Sequence, residues 1–480
     1  MEYTTIAAVG TPPGRGGVGI VRISGSEAIS IVLQIFKSIS CRNHSKVQHN
    51  TKIANQVHND KNHSTIKLEP KRLYYGHIFD YQKNILIDEV LVTAMYAPYS
   101  YTCEDVVEIQ AHGGSVVLNQ ILELVLDEGA RLAKPGEFTR RAFLNGRIDL
   151  SQAEGIIDLI NAKTEKAAAA AAKIIAGGMQ KEIESIKNAL LRIIARLEMN
   201  LDFPENEDSL ANRNEAGADL KRNVSDKIES IISRYEEGRL MRDGLRVLIL
   251  GKPNVGKSSL LNALTGRERV IVTEFAGTTR DTVEEELNVE GIPVVFIDSA
   301  GIHESNDPLE AISMAKTKEA VQDADLVLYM VDIRETKTVA DHNILDISED
   351  KPMILTLNKC DLVTKNFKPQ LPETLRSNNT VSISAKYKTG LDFLKQNIAQ
   401  YIRGGGLKDS GVPPNLRQQY ALQKCLKFIK KGLSAIEGQL PGEIFAIDLY
   451  EAADALGEIT GKVSNEDVLE KIFSRFCIGK

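Results

Sequence analysis

The 480-residue sequence has no run that approaches 18 apolar residues, the length from which a helix can span a bilayer. Its first ten residues contain neither a basic segment nor an apolar core, so we expect no secretory or transit signal. The five cysteines are odd in number, scattered and never spaced as CxxC, which argues against a disulfide framework and a zinc site. These absences predict a cytoplasmic protein with reduced thiols and no membrane contact.

Neither sign of charge dominates, because 59 Lys and Arg residues stand against 65 Asp and Glu residues. A net charge of −6 excludes a basic nucleic-acid footprint over the whole surface, although a local patch stays possible. Hydrophobic residues make up 42% and charged residues 26%, which excludes wholesale disorder. At about 150 residues per domain, the length predicts roughly three domains.

The order of apolar and polar residues predicts an α+β domain over residues 1–145. Its predicted strands lie at 18–24, 73–81, 85–96 and 105–110, and its predicted helices at 27–36 and 114–128. Residues 41–72 interrupt this domain with seven Lys or Arg, two acids and four histidines, whose spacing matches no standard metal site. This basic segment is either a solvated insertion or an arm that contacts RNA.

The rest of the chain reads as one α/β unit between helical segments. Residues 146–242 and 406–480 are helical in pattern, whereas residues 243–405 alternate strand-like and helix-like segments, as α/β domains do. Because the helical segments flank the α/β unit, we predict that this unit is inserted into a discontinuous all-α domain.

One loop carries the clearest chemistry. Residues Gly251–Ser258 spell GxxxxGK[ST] between a predicted buried strand at 245–250 and a helix that starts at Ser259. In such a loop, backbone N–H groups and the helix N-terminus surround phosphate oxygens. Lys257 is expected on the β- and γ-phosphates and the Ser258 hydroxyl on Mg²⁺, so the motif predicts a Ras-like P-loop domain.

Three further segments predict the base and the metal. Asp298–Gly301 ends a predicted strand, so that its carboxylate reaches the Mg²⁺ shell and its last N–H the γ-phosphate. Asn358–Asp361 ends another strand, and the Asp361 carboxylate accepts the N1–H and 2-amino protons of guanine. Adenine would leave this carboxylate unpaired. Ser384–Lys386 supports the same base, and the set predicts GTP rather than ATP.

Switch I is predicted at Gly277–Asp281, before a hairpin at 284–297, with Thr279 as the second hydroxyl on Mg²⁺. Ile302 stands where Ras-like enzymes have a glutamine that orients water. Hydrolysis is therefore very slow, or another carboxylate and another charge complete the site. The predicted GTP-binding positions are Asn254, Val255, Gly256, Lys257, Ser258, Ser259, Thr273, Glu274, Phe275, Ala276, Gly277, Thr278, Thr279, Asp298, Ser299, Ala300, Gly301, Asn358, Lys359, Cys360, Asp361, Ser384, Ala385 and Lys386.

Three stretches carry a family resemblance. They are Thr11–Gly25, Pro135–Glu154 and Phe476–Lys480, placed around a single G domain. The chain closely resembles the MnmE (TrmE) family of bacterial tRNA modification GTPases over essentially its whole length, apart from residues 41–72.

The resemblance implies a K⁺-stimulated GTPase that works with an FAD-dependent MnmG (GidA)-like partner in a heterotetramer. Together they add an aminomethyl or carboxymethylaminomethyl group to C5 of the wobble uridine, position 34, of certain tRNAs. The one-carbon donor is a tetrahydrofolate derivative, either 5-formyl- or 5,10-methylene-tetrahydrofolate. The resemblance further implies that the N-terminal domain forms a homodimer and holds the folate.

Four positions match the folate contacts of the family, namely Arg22, Glu108, Arg147 and the terminal Lys480. The chemistry agrees, because a pterin offers a hydrogen-bonding edge to a carboxylate and the glutamate tail of folate attracts cations. Without the resemblance, Arg22 and Glu108 would be interpreted as surface residues. Cys477 is either a catalytic thiol or an incidental one.

The resemblance also implies which residues replace the water-orienting glutamine that is absent at Ile302. Glu310 matches the family's catalytic glutamate and is expected to orient the attacking water. The alternative is that Glu310 is a solvated helix residue. Glu310 and Lys257 are the two predicted catalytic residues. Asn254 resembles the asparagine of GTPases that bind K⁺ where others insert an arginine finger. The predicted K⁺ ligands are Asn254, Thr273, Phe275 and Thr278. Such a site closes only with an ordered switch I, which predicts that two G domains face each other.

Two other classes of GTPase compete with this interpretation. A ribosome-assembly GTPase would need a C-terminal KH domain, as in Era, or a second P-loop, as in Der. The C-terminal segment is helical in pattern, and residues 1–240 contain no P-loop motif. A dynamin-like mechanical GTPase would need a membrane-binding helix or a basic tip, and we find neither in the sequence.

Overall fold

The computed structural model describes residues 4–39, 67–202, 209–265, 284–298, 318–338, 351–364, 367–372, 375, 379–404, 411–438, 442–463 and 465–480. The chain divides into two compact units, Met1–Ile157 with Thr460–Lys480, and Asp158–Ile459. In the described ranges, no helix has both the length and the apolar composition to cross a bilayer.

The strands and helices are numbered in chain order. The strands are β1 (Ile6–Val9), β2 (Gly16–Ser24), β3 (Phe36–Ser38), β4 (Leu73–Asp80), β5 (Ile85–Met95), β6 (Val106–Gly113), β7 (Arg131–Leu132), β8 (Leu245–Leu250), β9 (Glu284–Val289), β10 (Ile292–Asp298), β11 (Leu326–Asp332), β12 (Met353–Asn358) and β13 (Asn379–Ser382). The helices are α1 (Ala28–Ile35), α2 (Ser115–Asp127), α3 (Glu137–Leu144), α4 (Leu150–Asn161), α5 (Glu165–Ile175), α6 (Gly178–Asp202), α7 (Ser209–Leu220), α8 (Asp226–Ser233), α9 (Tyr235–Asp243), α10 (Lys257–Thr265), α11 (Leu391–Gly404), α12 (Leu416–Glu437), α13 (Gly442–Thr460) and α14 (Glu466–Phe473).

The first unit is built on a seven-stranded sheet with the order β3-β4-β5-β6-β2-β1-β7. Neighbouring strands pair antiparallel except for β1 and β7, which are parallel. Along β5, Val90, Val92 and Ala94 are buried in a core with α1 and α2, whereas Leu91 is exposed. This alternation is that of a strand with one covered face. The α+β character predicted for this segment is thus confirmed.

The end of the chain packs into the same unit. Leu469, Ile472 and Phe473 of α14, followed by Phe476, share an apolar core with Leu150 at the start of α4. The sequence-based boundaries group residues 406–480 with the helical domain. The structure instead places 460–480 with the first unit, because these aromatic and aliphatic side chains are buried there.

The helices of the second unit form one core from two separated segments. Residues of α6, α7 and α8 are buried together with residues of α12 and α13, for example Ile186, Leu190, Ile228, Leu422 and Leu449. A π-helix, Lys221–Ser225, joins α7 to α8. Because helices from both sides of the α/β segment share this core, the α/β segment is an insertion between them.

The α/β part of the second unit has a six-stranded sheet with the order β13-β12-β11-β8-β10-β9. All pairs are parallel except β9 with β10, which form the predicted hairpin. The strand predicted at 245–250 is confirmed with the same bounds. Because parallel strands end at the same edge, the carboxyl ends of β8, β10 and β12 meet there, and this edge is where ligands bind in such folds.

Candidate functional site

The predicted phosphate loop connects β8 to α10, which begins at Lys257. Gly251 and Gly256 have φ values of 153° and 103°, and a Cβ on Gly251 would lie 2.3 Å from the carbonyl oxygen of Met330. The Lys257 Nζ donates to the carbonyl oxygens of Gly251 at 2.8 Å and Lys252 at 3.2 Å. Burial lowers the pKa of this ammonium group. The loop therefore has the tight curvature and the enclosed cation of a phosphate cradle.

Asn358 connects the phosphate loop to the region that would hold the base. Its Nδ2 donates to the carbonyl oxygen of Val255 at 2.8 Å, and its Oδ1 accepts from the backbone N–H of Ala385 at 3.0 Å. Asn358 is 3% exposed. These bonds hold three loops in one arrangement although they are distant in sequence.

The residues that would bind guanine lie on this scaffold. The Ser384 hydroxyl donates to the Asp361 carboxylate at 2.6 Å, which orients the exposed carboxylate. Lys359 has a left-handed φ of 64°, and its Nζ contacts the Asn254 carbonyl oxygen at 2.9 Å and the Asp332 carboxylate at 3.0 Å. The arrangement presents a carboxylate to donors on the edge of a base.

Two oxygen groups meet beside the phosphate loop. The Ser258 hydroxyl donates to the Asp298 carboxylate at 3.0 Å, and Asp298 is 6% exposed. Hydroxyl and carboxylate oxygens are the ligands that Mg²⁺ prefers. The donor set therefore fits the metal predicted from the sequence.

Several predicted residues lie outside the described ranges, so their positions are not part of this site geometry. They are Thr273, Glu274, Phe275, Ala276, Gly277, Thr278, Thr279, Ser299, Ala300, Gly301, Ile302 and Glu310. Of the predicted K⁺ ligands, only Asn254 is described, and it has a left-handed φ of 64°. Most of the basic segment, namely residues 41–66, also lies outside the described ranges.

A second cluster of predicted site residues lies in the first unit. Arg22 on β2 and Glu108 on β6 are register partners, and the Arg22 Nε donates to the Glu108 Oε1 at 2.9 Å. The Arg22 Nη1 also donates to the carbonyl oxygen of Gly479 at 3.2 Å. Gly479 has a φ of 96°, and a Cβ there would lie 2.3 Å from the Val9 carbonyl oxygen. The tail that ends in Lys480 is therefore seated against β1, next to Arg22.

Arg147 joins this cluster through Tyr101. Its Nη1 donates to the Tyr101 carbonyl oxygen at 2.9 Å, and its guanidinium lies 4.8 Å from the centre of the Tyr101 ring. The Arg22 guanidinium lies 5.7 Å from the same ring. The structure thus brings Arg22, Glu108 and Arg147 together.

Sequence reasoning did not identify Tyr101. Nothing in its immediate neighbours marks it, because its two cationic partners lie 79 and 46 residues away in the chain. Cys477, by contrast, was considered from the sequence, and it is exposed.

Comparisons with known proteins found two family models and full-length relatives that match this chain. A family model described as the GTP-binding protein TrmE N-terminus matches residues 5–147, and one described as the MnmE helical domain matches residues 150–477. A protein of Thermoanaerobacter sp. (strain X514) named tRNA modification GTPase MnmE is 42% identical over 482 residues, with 100% of each chain covered. A protein of the same name from Enterococcus faecalis is 40% identical, with 100% of this chain and 99% of that one covered.

Among solved structures, the G domain of the T. maritima FeoB iron transporter is 29% identical and covers 33% of this chain and 98% of that one. Its TM-score is 0.26, which is too low to bear on the fold.

Proposed function

The chain belongs to the family of tRNA modification GTPases MnmE, and from that premise we propose that it supports modification of wobble uridine 34 in certain tRNAs. In this proposal, a cytoplasmic complex with an FAD-dependent MnmG-like protein adds an aminomethyl or carboxymethylaminomethyl group to C5. A tetrahydrofolate derivative supplies the carbon, and this chain supplies the GTPase and the folate site.

The observation that carries the proposal is the cluster of Arg22, Glu108 and Arg147 beside the chain's last residues. The predicted nucleotide residues lie in the other unit, so we expect GTP hydrolysis to be independent of this cluster. The Arg22 and Glu108 side chains are 22% and 18% exposed, so the pair is accessible to a ligand yet partly shielded from water. A reduced folate has a pterin edge for the carboxylate and a tail of carboxylates for the cations.

In GTP hydrolysis, the phosphate loop would position the substrate and neutralise charge. Lys257 would exchange its bonds to backbone carbonyl oxygens for bonds to the β- and γ-phosphate oxygens, which carry charge in the transition state. Ser258 and Asp298, together with Thr279, would hold Mg²⁺, which neutralises phosphate charge when bound. Asp361, held by Ser384, would select guanine.

Two further roles complete the proposed reaction. Glu310 would orient the attacking water in place of the glutamine that Ile302 replaces. Asn254 would provide one ligand for K⁺. It has a left-handed φ of 64°, and its carbonyl oxygen accepts from the Lys359 Nζ at 2.9 Å. Thr273, Phe275 and Thr278 would provide the others, so that K⁺ takes the place of an arginine finger.

We further propose that two copies associate through the first unit. Leu73, Tyr75 and Leu91 are exposed on β4 and β5, and Tyr75 and Leu91 are register partners on the sheet face opposite α1 and α2. An exposed apolar patch on a sheet is a typical protein interface. This face supports a homodimer, to which the MnmG-like protein would add to form a heterotetramer.

The test is a reconstituted reaction with the full chain, the FAD protein, a reduced folate, GTP and tRNA. We expect the 5-substituted wobble uridine to appear only when all components are present. If the nucleoside does not form, the tRNA proposal is wrong even if GTP is hydrolysed.

A role in ribosome assembly is the alternative. The phenotype of cells that lack the protein distinguishes this alternative from tRNA modification. Loss of the 5-substituted uridines supports our proposal. Ribosomal subunit imbalance with unchanged tRNA nucleosides would support the alternative instead.

A further inference from the structure

Tyr101 lies beside two guanidinium groups that come from separate parts of the first unit. Arg22 projects from β2, and its Cζ is 5.7 Å from the centre of the Tyr101 ring. Arg147 follows α3, and its Cζ is 4.8 Å from the same centre. Both distances lie within the range of a cation–π interaction, so one ring contacts both cations.

The ring is fixed in place by bonds at both ends of the residue. Its hydroxyl shares a hydrogen bond of 2.9 Å with the hydroxyl of Thr139 on α3. Its carbonyl oxygen accepts from Arg147, and the next carbonyl oxygen, that of Thr102, accepts from the Asn145 Nδ2 at 2.7 Å. The loop that carries Tyr101 is therefore attached to α3 and to the turn after it.

The loop is also attached to the strand that carries Arg22. The hydroxyls of Thr102 and Ser24 share a bond of 2.7 Å, and the Ser24 hydroxyl contacts Glu104 at 2.8 Å. The Arg141 Nη1 donates to that same Glu104 carboxylate at 2.8 Å, and Arg141 is 3% exposed. Buried polar networks of this kind hold a loop in one conformation.

The position of the Tyr101 ring beside Arg22 and Arg147 has an electrostatic consequence. Two guanidinium groups around one residue repel each other, and within the described residues the ion-pair partner of Glu108 is Arg22, at 2.9 Å. The face of an aromatic ring carries partial negative charge, and so it stabilises cations without consuming their hydrogen-bond donors. At Arg147, a carboxylate partner would instead occupy donors that an anionic ligand needs.

We infer that Tyr101 is a positioning residue that holds Arg22 and Arg147 ready to bind an anionic pterin compound, a reduced folate. This inference rests on the proposed folate site and adds a residue to it. In this inference, the Tyr101 ring orients the two guanidinium groups, and the Tyr101 hydroxyl anchors the ring to Thr139.

The test measures binding of 5-formyl-tetrahydrofolate to the full chain by titration calorimetry. We expect Tyr101→Leu to weaken binding about tenfold, because both cation–π contacts are lost. Tyr101→Phe should retain affinity within about threefold, because the ring remains. Tyr99→Leu is the matched control. Tyr99 lies in the same loop, is 77% exposed and contacts neither arginine in the described structure. The Tyr99→Leu variant should bind the folate with the affinity of the wild type.

A double-mutant cycle shows whether the ring acts through Arg147. We expect Tyr101→Leu to reduce affinity by a smaller factor in an Arg147→Ala background than in the wild type. Full additivity, or equal loss in Tyr101→Phe and Tyr101→Leu, would overturn the inference. Thermal unfolding followed by circular dichroism checks that each variant folds, and Tyr101→Gln replaces the leucine variant if that variant does not.

The outcomes separate this inference from the proposed function. If the wild-type chain does not bind the folate, the folate site and the role of Tyr101 are both wrong. If the wild type binds and Tyr101→Leu binds equally well, the folate site stands and only the inference about Tyr101 fails.

Discussion

Single side chains in this protein join segments that are far apart in the sequence. The Asn358 carboxamide contacts Val255 and Ala385, and the Arg22 guanidinium contacts Gly479, 457 residues later in the chain. Each contact is an ordinary hydrogen bond between 2.8 and 3.2 Å. Both candidate sites therefore depend on bonds that one substitution removes.

At the scale of single residues, we propose that Asp361 selects the base. We expect Asp361→Asn to weaken GTP binding by about 10²-fold or more and to favour xanthosine triphosphate, because the carboxamide reverses part of the donor and acceptor pattern. The measurement is a titration of both nucleotides. Asp392→Asn, an exposed carboxylate at the start of α11, is the control. An unchanged GTP affinity in Asp361→Asn would remove this residue from the base site.

Among the elements, α3 begins at a buried ion cluster. Glu137, its first residue, accepts from the backbone N–H of Lys134 at 2.9 Å, from Arg131 on β7 and from Arg141 at 3.1 Å. Gly136 before it has a φ of 68°, and a Cβ there would lie 2.4 Å from the Phe473 carbonyl oxygen. The cluster thus fixes the start of the helix that carries Thr139.

This cluster predicts a pH dependence. Burial by itself raises the pKa of Glu137, but the hydrogen bonds from Arg131, Lys134 and Arg141 outweigh it and lower the pKa from 4.5 to about 2. The carboxylate therefore stabilises the fold above pH 4.5, and this contribution is lost as the pH falls from 4.5 towards 2.

We expect Glu137→Gln to lower the free energy of unfolding by about 2–3 kcal/mol at pH 7, and the difference from wild type to shrink below pH 4.5. Urea unfolding at a series of pH values measures it. Glu123→Gln, an exposed residue of α2, should show no such trend. A constant difference between wild type and Glu137→Gln across pH would contradict the prediction.

The β9–β10 hairpin connects the parts of the second unit. Glu286 on β9 contacts the Lys163 Nζ, and Glu290 at the turn accepts from the Arg403 Nε of α11 at 2.8 Å. Lys166 of α5 packs at Gly291, where a Cβ would lie 2.5 Å from the Lys166 Cδ. The strand that follows the predicted switch I is thus held by helices on either side of it in sequence.

The whole molecule keeps its two candidate sites in separate compact units. We expect Arg22→Ala, and deletion of Cys477–Lys480, to abolish tRNA modification while GTP hydrolysis stays within about twofold, because the phosphate loop lies in the other unit. Both activities are measured on the same preparations. Parallel loss of both would indicate misfolding or a wrong assignment.

The cation prediction also belongs to the whole molecule, because it requires two G domains. We expect slow hydrolysis in Na⁺, strong acceleration in K⁺ together with G-domain association, and a large loss of rate in Glu310→Ala with nucleotide affinity retained. An arginine finger accelerates hydrolysis by roughly 10³–10⁵, and this is the scale with which the K⁺ effect is compared. Equal rates in Na⁺ and K⁺ at matched ionic strength would refute the cation role, and a fully active Glu310→Ala protein would refute the glutamate.

Local sequence patterns predicted the elements whose contact partners lie nearby in sequence. They did not predict the boundaries that depend on contact partners far away in sequence. The helix predicted at 27–36 ends at Ile35, and Phe36 starts β3 instead, because its backbone pairs with Ile78 of β4. The sequence pattern groups the last helix with the helical domain. Phe473 and Phe476 place it in the first unit, since their burial partners are on α3 and α4.

The sequence alone sufficed to predict the candidate nucleotide site, because its parts are short motifs at the ends of parallel strands, and such ends meet at one edge of the sheet. Gly251–Ser258, Asn358–Asp361 and Ser384 are each recognised without knowledge of the fold. The second site was decided by tertiary structure, apart from the resemblance, which named four folate positions, Arg22, Glu108, Arg147 and Lys480. Only the pairing of β2 with β6 and the seating of the tail on β1 bring Arg22, Glu108 and Gly479 together. Tyr101 joined them because backbone packing, and no local pattern, sets its distance from both arginines.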